Sequence, residues 1–327
     1  MISIFAPDTQ MNIYCGACWW SDQWEGLDYG VDFDPSKPFL LQLKALLGRV
    51  PIMNTYTIYT TLVNSDFVNM CAWSKNCYLT TYGDRNENCS YGSFVIDSKE
   101  AVDGLMLKEC EFCYECVNCQ KCYKTFYSVD CESCHNVAFS RNCVSCSDCF
   151  GCVNLKNKKY HIFNEPYSKE QYEEKMKELW PATRAARDAI LERIKPLWNS
   201  LPQKYMHGRQ NTDVSGDYIF NSKNVQDSYI ALDCQDSRYI AFVEKLKDSY
   251  DCTNFFLNSE LMYDSIQSGG PGQRIAFSWW VIDSNRDVQY SMFNIGCTNT
   301  FGCVGIKKKE YCILNKQYSK EEYFKLR

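Results

Sequence analysis

The chain has 327 residues, of which 45% are hydrophobic and 23% charged, and its net charge is -5. This balance predicts a soluble globular protein of two or three domains and argues against a general nucleic-acid binder, which would carry a basic face. A mean hydropathy of -0.40 and the lack of a long apolar run argue against a membrane span. The chain contains twenty-one cysteines, and its first residues do not form an export signal. Together these observations predict a reducing, cytoplasmic environment in which the thiols are free or metal-bound.

The first predicted element is a small module over residues 1–50. Cys15 and Cys18 form a C-x-x-C knuckle followed by two tryptophans, and aromatic residues typically pack over a zinc site. A tetrahedral zinc site needs four ligands, and the alternative is a pair of structural thiols on a turn. We favour zinc, with its other ligands unidentified. A capping helix follows, with Ser36 as its N-cap and Gly48 at its end, and we expect it to cover one end of a solenoid.

A cysteine register dominates the next region. Fourteen cysteines lie from Cys71 to Cys152, and every gap between neighbours is a multiple of three: 6, 12, 21, 3, 3, 3, 3, 9, 3, 9, 3, 3 and 3. No regular helix or strand keeps a period of three over this length, so the register predicts a parallel β-solenoid with cysteine at a recurring inward position. Several pairs of cysteines lie 21 residues apart, such as Cys110 and Cys131, and this recurrence predicts a coil of about 21 residues. We expect β-structure to begin near Thr55, because residues 56–59 favour a strand.

The residue before the register position is often Asn or Asp, as in Asn76-Cys77 and Asp130-Cys131. Asn and Asp suit turns because they tolerate the left-handed backbone conformation. Ser98 occupies the register position as well, so serine and cysteine are interchangeable there. Both are small, as the interior of a narrow solenoid requires.

The second half of the chain repeats the first. Residues 150–153, Phe-Gly-Cys-Val, recur at 301–304, and each copy ends in a basic strand and a helix that starts with a capping box, at Ser168 and at Ser319. We therefore predict a mainly β fold made of two tandem β-solenoid copies with capping and linking α-helices. Copy A spans 51–180, a helical linker spans 181–210, and copy B spans 211–327. Within the connection, we expect one helix to open at Pro181 and to be broken by Pro196.

The cysteine runs of copy A have two interpretations. Thiolate ligation of zinc or of an iron–sulfur cluster would use C-x-x-C steps, and Cys143, Cys146, Cys149 and Cys152 are the candidate metal ligands. The alternative is a ladder of buried thiols that act as small hydrophobic side chains. Copy B has lost most of these cysteines and places serine in the register, which favours the ladder. The final Cys-Pro of a ferredoxin-type pattern is missing, so the sequence argues against an iron–sulfur cluster.

One charge run recurs in both copies, and it consists of Lys156, Lys158, Lys159, Lys307, Lys308 and Lys309. Lysine interleaved with tyrosine indicates a phosphate or nucleic-acid contact. Lysine also protects solvated edge strands from aggregation, and we favour this second interpretation.

The repeated segments at 150–160 and 301–311, the Tyr-Ser-Lys-Glu that follows each, and the Cys-x-x-Cys-Trp-Trp-Ser-Asp stretch at 15–22 resemble an uncharacterised cysteine-rich family of environmental bacteria. Some members of that family carry the label CaiB/BaiF-like, which this sequence does not support as an acyl-CoA transferase. The resemblance implies a zinc ribbon completed by an upstream C-x-x-C, which this chain lacks. The family has no established activity.

The sequence contains no nucleophile paired with a base, no P-loop and no dinucleotide fingerprint. We therefore expect a non-enzymatic scaffold or binding protein whose elongated solenoid surface takes a protein partner, with zinc as a stabilising metal. One alternative is a metal or redox protein that uses the cysteines of copy A. The other is a carbohydrate-binding or carbohydrate-active β-helix, in which Asp-Ser pairs such as Asp227-Ser228, Asp236-Ser237 and Asp248-Ser249 supply carboxylates.

Overall fold

The computed structural model describes residues 3–254, 257–268 and 270–327. The chain divides into two compact units, and both are mainly β with parallel sheets. The thiol unit comprises residues 55–203. The composite unit combines residues 3–54 with residues 204–327, so the small N-terminal module belongs with the C-terminal part of the chain.

The described residues form α-helices at five places, and two further segments, Gly26–Tyr29 and Tyr59–Thr61, are 3₁₀-helical. The α-helices are α1 (Gly16–Trp20), α2 (Phe39–Leu47), α3 (Lys169–Leu179), α4 (Arg184–Ser200) and α5 (Lys320–Leu326). Helix α2 ends at Gly48 as predicted, whereas its N-cap is Pro38 and not Ser36.

Both predicted capping boxes are confirmed, because Ser168 and Ser319 each exchange hydrogen bonds with the third residue of the following helix. The predicted break at Pro196 is wrong. Pro196 lies inside α4, which runs on to Ser200, and the N-cap of that helix is Thr183.

The strands of the thiol unit are short and pair in parallel with the strand one coil away. They are Asn69–Ala72, Thr81–Asp84, Ser93–Ile96, Lys99–Val102, Leu105–Lys108, Glu111–Tyr114, Tyr123–Phe126, His135–Ala138, Ser147–Phe150 and Lys159–Ile162, with Glu165–Pro166 antiparallel at the end. Tyr123 pairs with His135 and His135 with Ser147, so one coil takes twelve residues. The longer coil that the cysteine spacing predicts is therefore wrong. Parallel pairing does begin near Thr55, with a bridge between Thr57 and Cys71, but no full strand forms at 56–59, because Tyr59 begins a 3₁₀-helix, and the first strand of this unit starts at Asn69.

The composite unit contains a parallel pair, Ile13–Tyr14 with Ile52–Met53, and an 11-stranded sheet. The strands of the sheet are Gly208–Arg209, Thr212–Phe220, Lys223–Leu232, Gln235–Lys247, Tyr250–Thr253, Leu257–Ile266, Gln273–Ala276, Arg286–Gln289, Thr298–Phe301, Glu310–Ile313 and Lys316–Gln317. The register here varies. Arg286 pairs with Thr298, which lies twelve positions further on, whereas Gln273 pairs with Arg286, thirteen positions further on.

A left-handed corner at every third residue produces this β-helix-like fold. In the thiol unit φ is positive at Asn76, Leu79, Tyr82, Arg85 and Asn88, and the same spacing continues along both units, apart from steps of four residues in the composite unit such as Asp283 to Asp287. The residue after each corner points inward, and the next one lies outward, so one side of the coil takes three residues and a coil of twelve has four sides. This geometry explains the Asn and Asp residues that precede the register position, because both tolerate a positive φ.

Helix α2 packs on a side of the composite unit's sheet. The Phe39 ring lies with its centroid 4.5 Å from that of Phe301 and 5.3 Å from that of Tyr290. Gly302 makes this approach possible, because its φ is +65° and a Cβ there would lie 2.7 Å from the Phe39 ring. In the thiol unit Gly151 takes the same conformation beneath Phe163.

Candidate functional site

The interior of the thiol unit holds eleven register cysteines, here called the thiol array, each no more than 2% exposed. They are Cys110, Cys113, Cys116, Cys119, Cys122, Cys131, Cys134, Cys143, Cys146, Cys149 and Cys152. Because four inward positions complete one coil, Cys110, Cys113, Cys116 and Cys119 fill all four sides of a single coil. The four predicted metal ligands, Cys143 to Cys152, fill all four sides of another.

Each thiol of the array bonds to backbone carbonyl groups of its own coil and of the next. The Cys122 Sγ lies 3.3 Å from the Gln120 oxygen and 3.4 Å from the Cys131 oxygen. Ser98 makes similar contacts at the same register position. Its Oγ donates to the Ile96 oxygen at 2.9 Å and accepts from the Cys110 N–H at 3.2 Å. Serine and cysteine therefore serve the same structural role in the coil, which supports the ladder interpretation.

The thiols of the array also contact one another, both around a coil and along the solenoid axis. Contact with the Cys116 thiol, followed by contacts with Cys122 and Cys131 and by burial, raises the pKa of Cys119 well above its ordinary value. Contact with Cys131 and burial raise the pKa of Cys143 in the same way. Among the residues that the structure describes, no group of three or more His, Cys, Asp or Glu side chains is arranged to hold a metal ion.

Cys15 and Cys18 lie at the start of α1 in the composite unit. Their sulfurs are 2.9 Å apart, and the Cys18 N–H donates to the Cys15 Sγ at 3.3 Å. The hydrogen bond with the Cys18 thiol lowers the pKa of Cys15, whereas the same bond raises the pKa of the exposed Cys18. Zinc at this pair stays a prediction, with two of its four ligands identified.

The tryptophans beside this pair enclose a lysine. The Lys307 Nζ lies 4.4 Å from the ring centroid of Trp19 and 5.3 Å from that of Trp24, and it donates to the Trp19 oxygen at 3.0 Å. Burial lowers the pKa of Lys307. These contacts attach the N-terminal module to the end of the sheet in the same unit.

The other lysines of the predicted run differ in their surroundings. Lys309 pairs with Glu25 at 3.0 Å, and Lys308 is exposed on a left-handed corner. In the thiol unit Lys156, Lys158 and Lys159 are exposed, and the Lys159 Nζ lies 4.8 Å from the Tyr160 ring centroid. The lysines of each unit are thus either intramolecular partners or solvated, and their binding role stays a prediction.

The Asp residues that a carbohydrate-active site would use lie on coil corners. Asp227, Asp236 and Asp248 all have positive φ. The Asp227 carboxylate pairs with Arg238 at 2.8 Å, and that of Asp236 accepts from the Asn224 amide at 2.8 Å. These carboxylates stabilise neighbouring coils.

One feature that the sequence analysis missed is a row of aromatic side chains on one side of each solenoid. In the thiol unit, backbone hydrogen bonds between neighbouring coils place residues of this aromatic face next to each other. They link Tyr91 to Tyr78, Tyr127 to Tyr114 and Phe139 to Phe126. One end, its covered half, packs against α3 and α4 through Phe139, Phe150, Ile162, Tyr172 and Ile194. The other end, its open half, exposes Phe67, Tyr78 and Tyr91 by 45%, 43% and 55%.

The composite unit has a matching face. Arg238 pairs with Tyr250, Tyr250 with Tyr263, Tyr263 with Ala276, and Gln289 with Phe301, so these residues and their neighbours form one side of the sheet. Phe39 of α2 covers Tyr290 and Phe301 at one end. Tyr239, Tyr250, Tyr263 and Phe277 are exposed along the rest. The missed signal was the recurrence of aromatic residues at intervals of one coil.

No protein-family model and no curated protein matches this chain. Among solved structures, a putative acetyltransferase from Desulfovibrio desulfuricans G20 is 10% identical, with 80% of this chain and 71% of that chain covered and a TM-score of 0.16. A UDP-N-acetylglucosamine O-acyltransferase from Moraxella catarrhalis RH4 is 12% identical, with 81% and 80% covered and a TM-score of 0.10. Both scores are too low to support an argument about fold or activity. The resemblance to a cysteine-rich bacterial family stays a prediction.

Across residues 3–254, 257–268 and 270–327, no helix has the length and apolar character needed to cross a membrane. The observations that bear on function are therefore the thiol array inside one unit and the half-covered aromatic face on each.

Proposed function

We propose that this chain is a non-enzymatic binding protein that holds an amphipathic helix of a partner protein on the open half of its aromatic face. The observation that carries the proposal is that one side of the thiol unit carries aromatic rings at both of its ends. Its covered half already holds two amphipathic helices of the chain itself, and its open half, separated from the covered half by Ser90 and Val102, exposes further rings of the same side to solvent. Contiguous exposed apolar surface of this kind marks interaction sites.

The contacts of α4 indicate what the partner helix carries besides its apolar stripe. The Arg187 guanidinium pairs with Glu115 at 2.8 Å and lies 5.8 Å from the Tyr127 ring centroid. Asp103 occupies the same corner as Glu115 one coil earlier, at the edge of the open half. We therefore expect an Arg or Lys beside the apolar stripe of the partner, placed to reach Asp103.

The composite unit supports the same function. Its face is also covered at one end by a helix of the chain, α2, and exposed along the rest. The repeated segments that contain Phe150 and Phe301 fit two tandem copies, each presenting one such face. A scaffold that binds two helical segments would follow from this arrangement.

Selection of a displayed library of helical peptides on the immobilised full chain, run in parallel with a glycan array, tests the proposal. We expect enriched peptides with apolar residues at helical spacing and a neighbouring basic residue. Changing Tyr78→Ser together with Tyr91→Ser removes two exposed rings and lowers the affinity at least tenfold. Phe112→Ser, which removes an exposed ring on another side of the same unit, is the matched control and leaves the affinity unchanged.

Two outcomes contradict the proposal. Peptides that bind the Tyr78/Tyr91 variant as tightly as the parent would use another surface. Glycan binding that depends on the same rings, without peptide binding, would favour the carbohydrate alternative, because aromatic rings also stack on sugars.

A further inference from the structure

The thiol array is one connected cluster. Cys119, Cys131 and Cys143 occupy the same position in three successive coils, so they form a column along one inner wall, and the Cys131 thiol contacts both of the others. Cys122 contacts the thiols of Cys110, Cys119 and Cys134. Cys110, Cys122, Cys134 and Cys146 form a second column beside the first. The two columns join the two coils that are filled entirely with cysteine.

Packing does not require this concentration of thiols. Serine fills the register position at 98, 128 and 140 within the same solenoid, and all three serines are completely buried. In the composite unit the buried thiols of Cys234 and Cys252 are flanked by serine and aliphatic residues, and their pKa values are raised by burial rather than by another thiol. Cys297, Cys303 and Cys312 of the composite unit also cluster, but Thr300 and Ile306 separate them at the inward positions. Cysteine at several consecutive inward positions is thus a property of the thiol unit and not a requirement of the coil.

We propose that the thiol array binds Cu(I) ions as a buried copper–thiolate cluster. Thiolate is the soft ligand that Cu(I) prefers, and each ion needs as few as two thiolates, so it requires only a neighbouring pair and not a preformed group of three or four. Each step is RSH + Cu⁺ → RS–Cu + H⁺. The S–H bond breaks, the S–Cu bond forms, the proton leaves to solvent, and no electron is transferred.

Charge decides the choice of metal. Replacing a proton by Cu⁺ leaves the interior with the same net charge. The array therefore stays neutral as it fills at one ion per thiol, with each thiolate bridging two ions so that every ion keeps two sulfur ligands. A Zn²⁺ ion held by four thiolates would instead bury two negative charges in a solvent-free core, at a high desolvation cost. A monovalent soft ion is therefore the species that suits this interior.

The backbone tolerates the loss of the S–H donors. The Cys119 oxygen, which accepts the Cys110 thiol at 3.2 Å, also accepts the Lys108 N–H at 3.2 Å. The Lys108 oxygen, the other acceptor of that thiol, also accepts the Lys121 N–H at 2.9 Å. Metal binding thus leaves no buried carbonyl group of this thiol without a donor.

Titration of the reduced full chain with Cu(I) under anaerobic conditions, in competition with the chromophoric chelator bicinchoninate, tests the proposal. Cys15→Ser and Cys18→Ser form the background, because these are the accessible thiols of the chain. We expect several Cu(I) ions per chain, up to about eleven if each array thiol takes one. In a pH-stat, one proton is released for each ion bound.

Variants locate the site. In the same background, Cys119→Ser, Cys131→Ser and Cys143→Ser together lower the copper stoichiometry by about three ions, one for each thiol removed. The serines at 98, 128 and 140 show that the coil accepts this change. Cys234→Ser with Cys252→Ser removes isolated buried thiols and leaves the stoichiometry unchanged.

Two results overturn the proposal. In the first, bicinchoninate retains all the copper added to the Cys15→Ser, Cys18→Ser chain, a result that does not depend on any core variant folding. In the second, the column variant binds as much copper as its parent.

Discussion

The solenoids of the two units share one backbone and differ in what fills it. Both place left-handed corners at a spacing of three residues with an inward side chain directly after each, and the composite unit adds sides of four residues, as between Asp283 and Asp287. In the thiol unit cysteine fills half of the inward positions from Cys71 to Cys152, and the coil keeps a constant length of twelve from Thr81 onward. In the composite unit they are aliphatic residues and serine, with scattered cysteines, and the coil length varies from eleven to thirteen.

The difference shows that the period of three belongs to the corner conformation and not to cysteine chemistry. A narrow coil accepts any small or medium side chain that can pack inward and, where it is polar, donate to a nearby carbonyl. Ser98 and Cys122 both meet this condition, because each donates to the carbonyl two residues earlier. The contiguity of the thiols, rather than their register, is what distinguishes one unit from the other.

The largest expected difference between the units appears at alkaline pH. Burial raises the pKa of Cys71 in the thiol unit and that of Cys252 in the composite unit to about 12. Below about pH 8.5 a thiol whose pKa is raised by burial is protonated in both the folded and the unfolded chain, so it does not affect stability. Above that pH the unfolded chain releases protons that the folded chain retains, so each such thiol lowers the free energy of unfolding by about 1.4 kcal/mol per pH unit up to its folded pKa.

The pKa is raised for eight buried thiols of the thiol unit and for five of the composite unit, so we expect the thiol unit to unfold first as the pH rises from 9 to 12. Hydrogen exchange resolved by peptide, after short incubation at each pH, measures the two units separately. Replacing Cys119, Cys131 and Cys143 by serine should narrow the gap between the units. Earlier unfolding of the composite unit would contradict this account.

A smaller difference is expected for single core substitutions. Ile240→Ser in the composite unit loses a buried aliphatic side chain and costs about 3 kcal/mol. Cys131→Ser in the thiol unit costs less than about 1 kcal/mol, because serine is already accepted at equivalent positions. Denaturant unfolding of both variants, followed by circular dichroism, measures the difference, and equal costs would show that cysteine is not interchangeable with serine.

The smallest expected effect on stability comes from the helix caps, which the two units share. Ser168→Ala and Ser319→Ala each remove a capping box and should each cost about 1 kcal/mol. Denaturant unfolding measures both costs. Ser200→Ala, at the last residue of α4, is a control for a serine outside any capping box. Clearly unequal costs for the two caps would show that the helices after the two solenoids are not equivalent.

The sequence predicted the length of one side of the coil, three residues, but not the number of sides that make up a coil. A period of three follows from the corner conformation and can be recognised from Cys71 to Cys152, whereas the number of sides depends on which strands pair. The separation between Cys110 and Cys131 is one coil plus three further sides, a relation that only the pairing of strands such as His135–Ala138 and Ser147–Phe150 makes visible.

The candidate sites were predictable to a similar degree. The four candidate ligands Cys143 to Cys152 lie on the four sides of one coil, because four successive inward positions close it, and their role as metal ligands stays a prediction. The aromatic face was missed because its rings recur at the true coil length, for example at Phe126 and, two coils later, at Phe150. The position of the N-terminal module rests on long-range contacts, such as that of Lys307 with Trp19, which no local pattern reports.

The left-handed corners have a consequence for insertions and deletions in the chain. Removing one side from a coil such as the one between Tyr123 and His135 would leave every inward side chain inward. The exterior downstream of the cut would nevertheless rotate by a quarter turn, and the covered half of the aromatic face would no longer line up with the open half. Removing all four sides would restore the alignment and shorten the solenoid by one coil. Length changes by whole coils therefore preserve the binding surface, whereas changes by single sides preserve only the core.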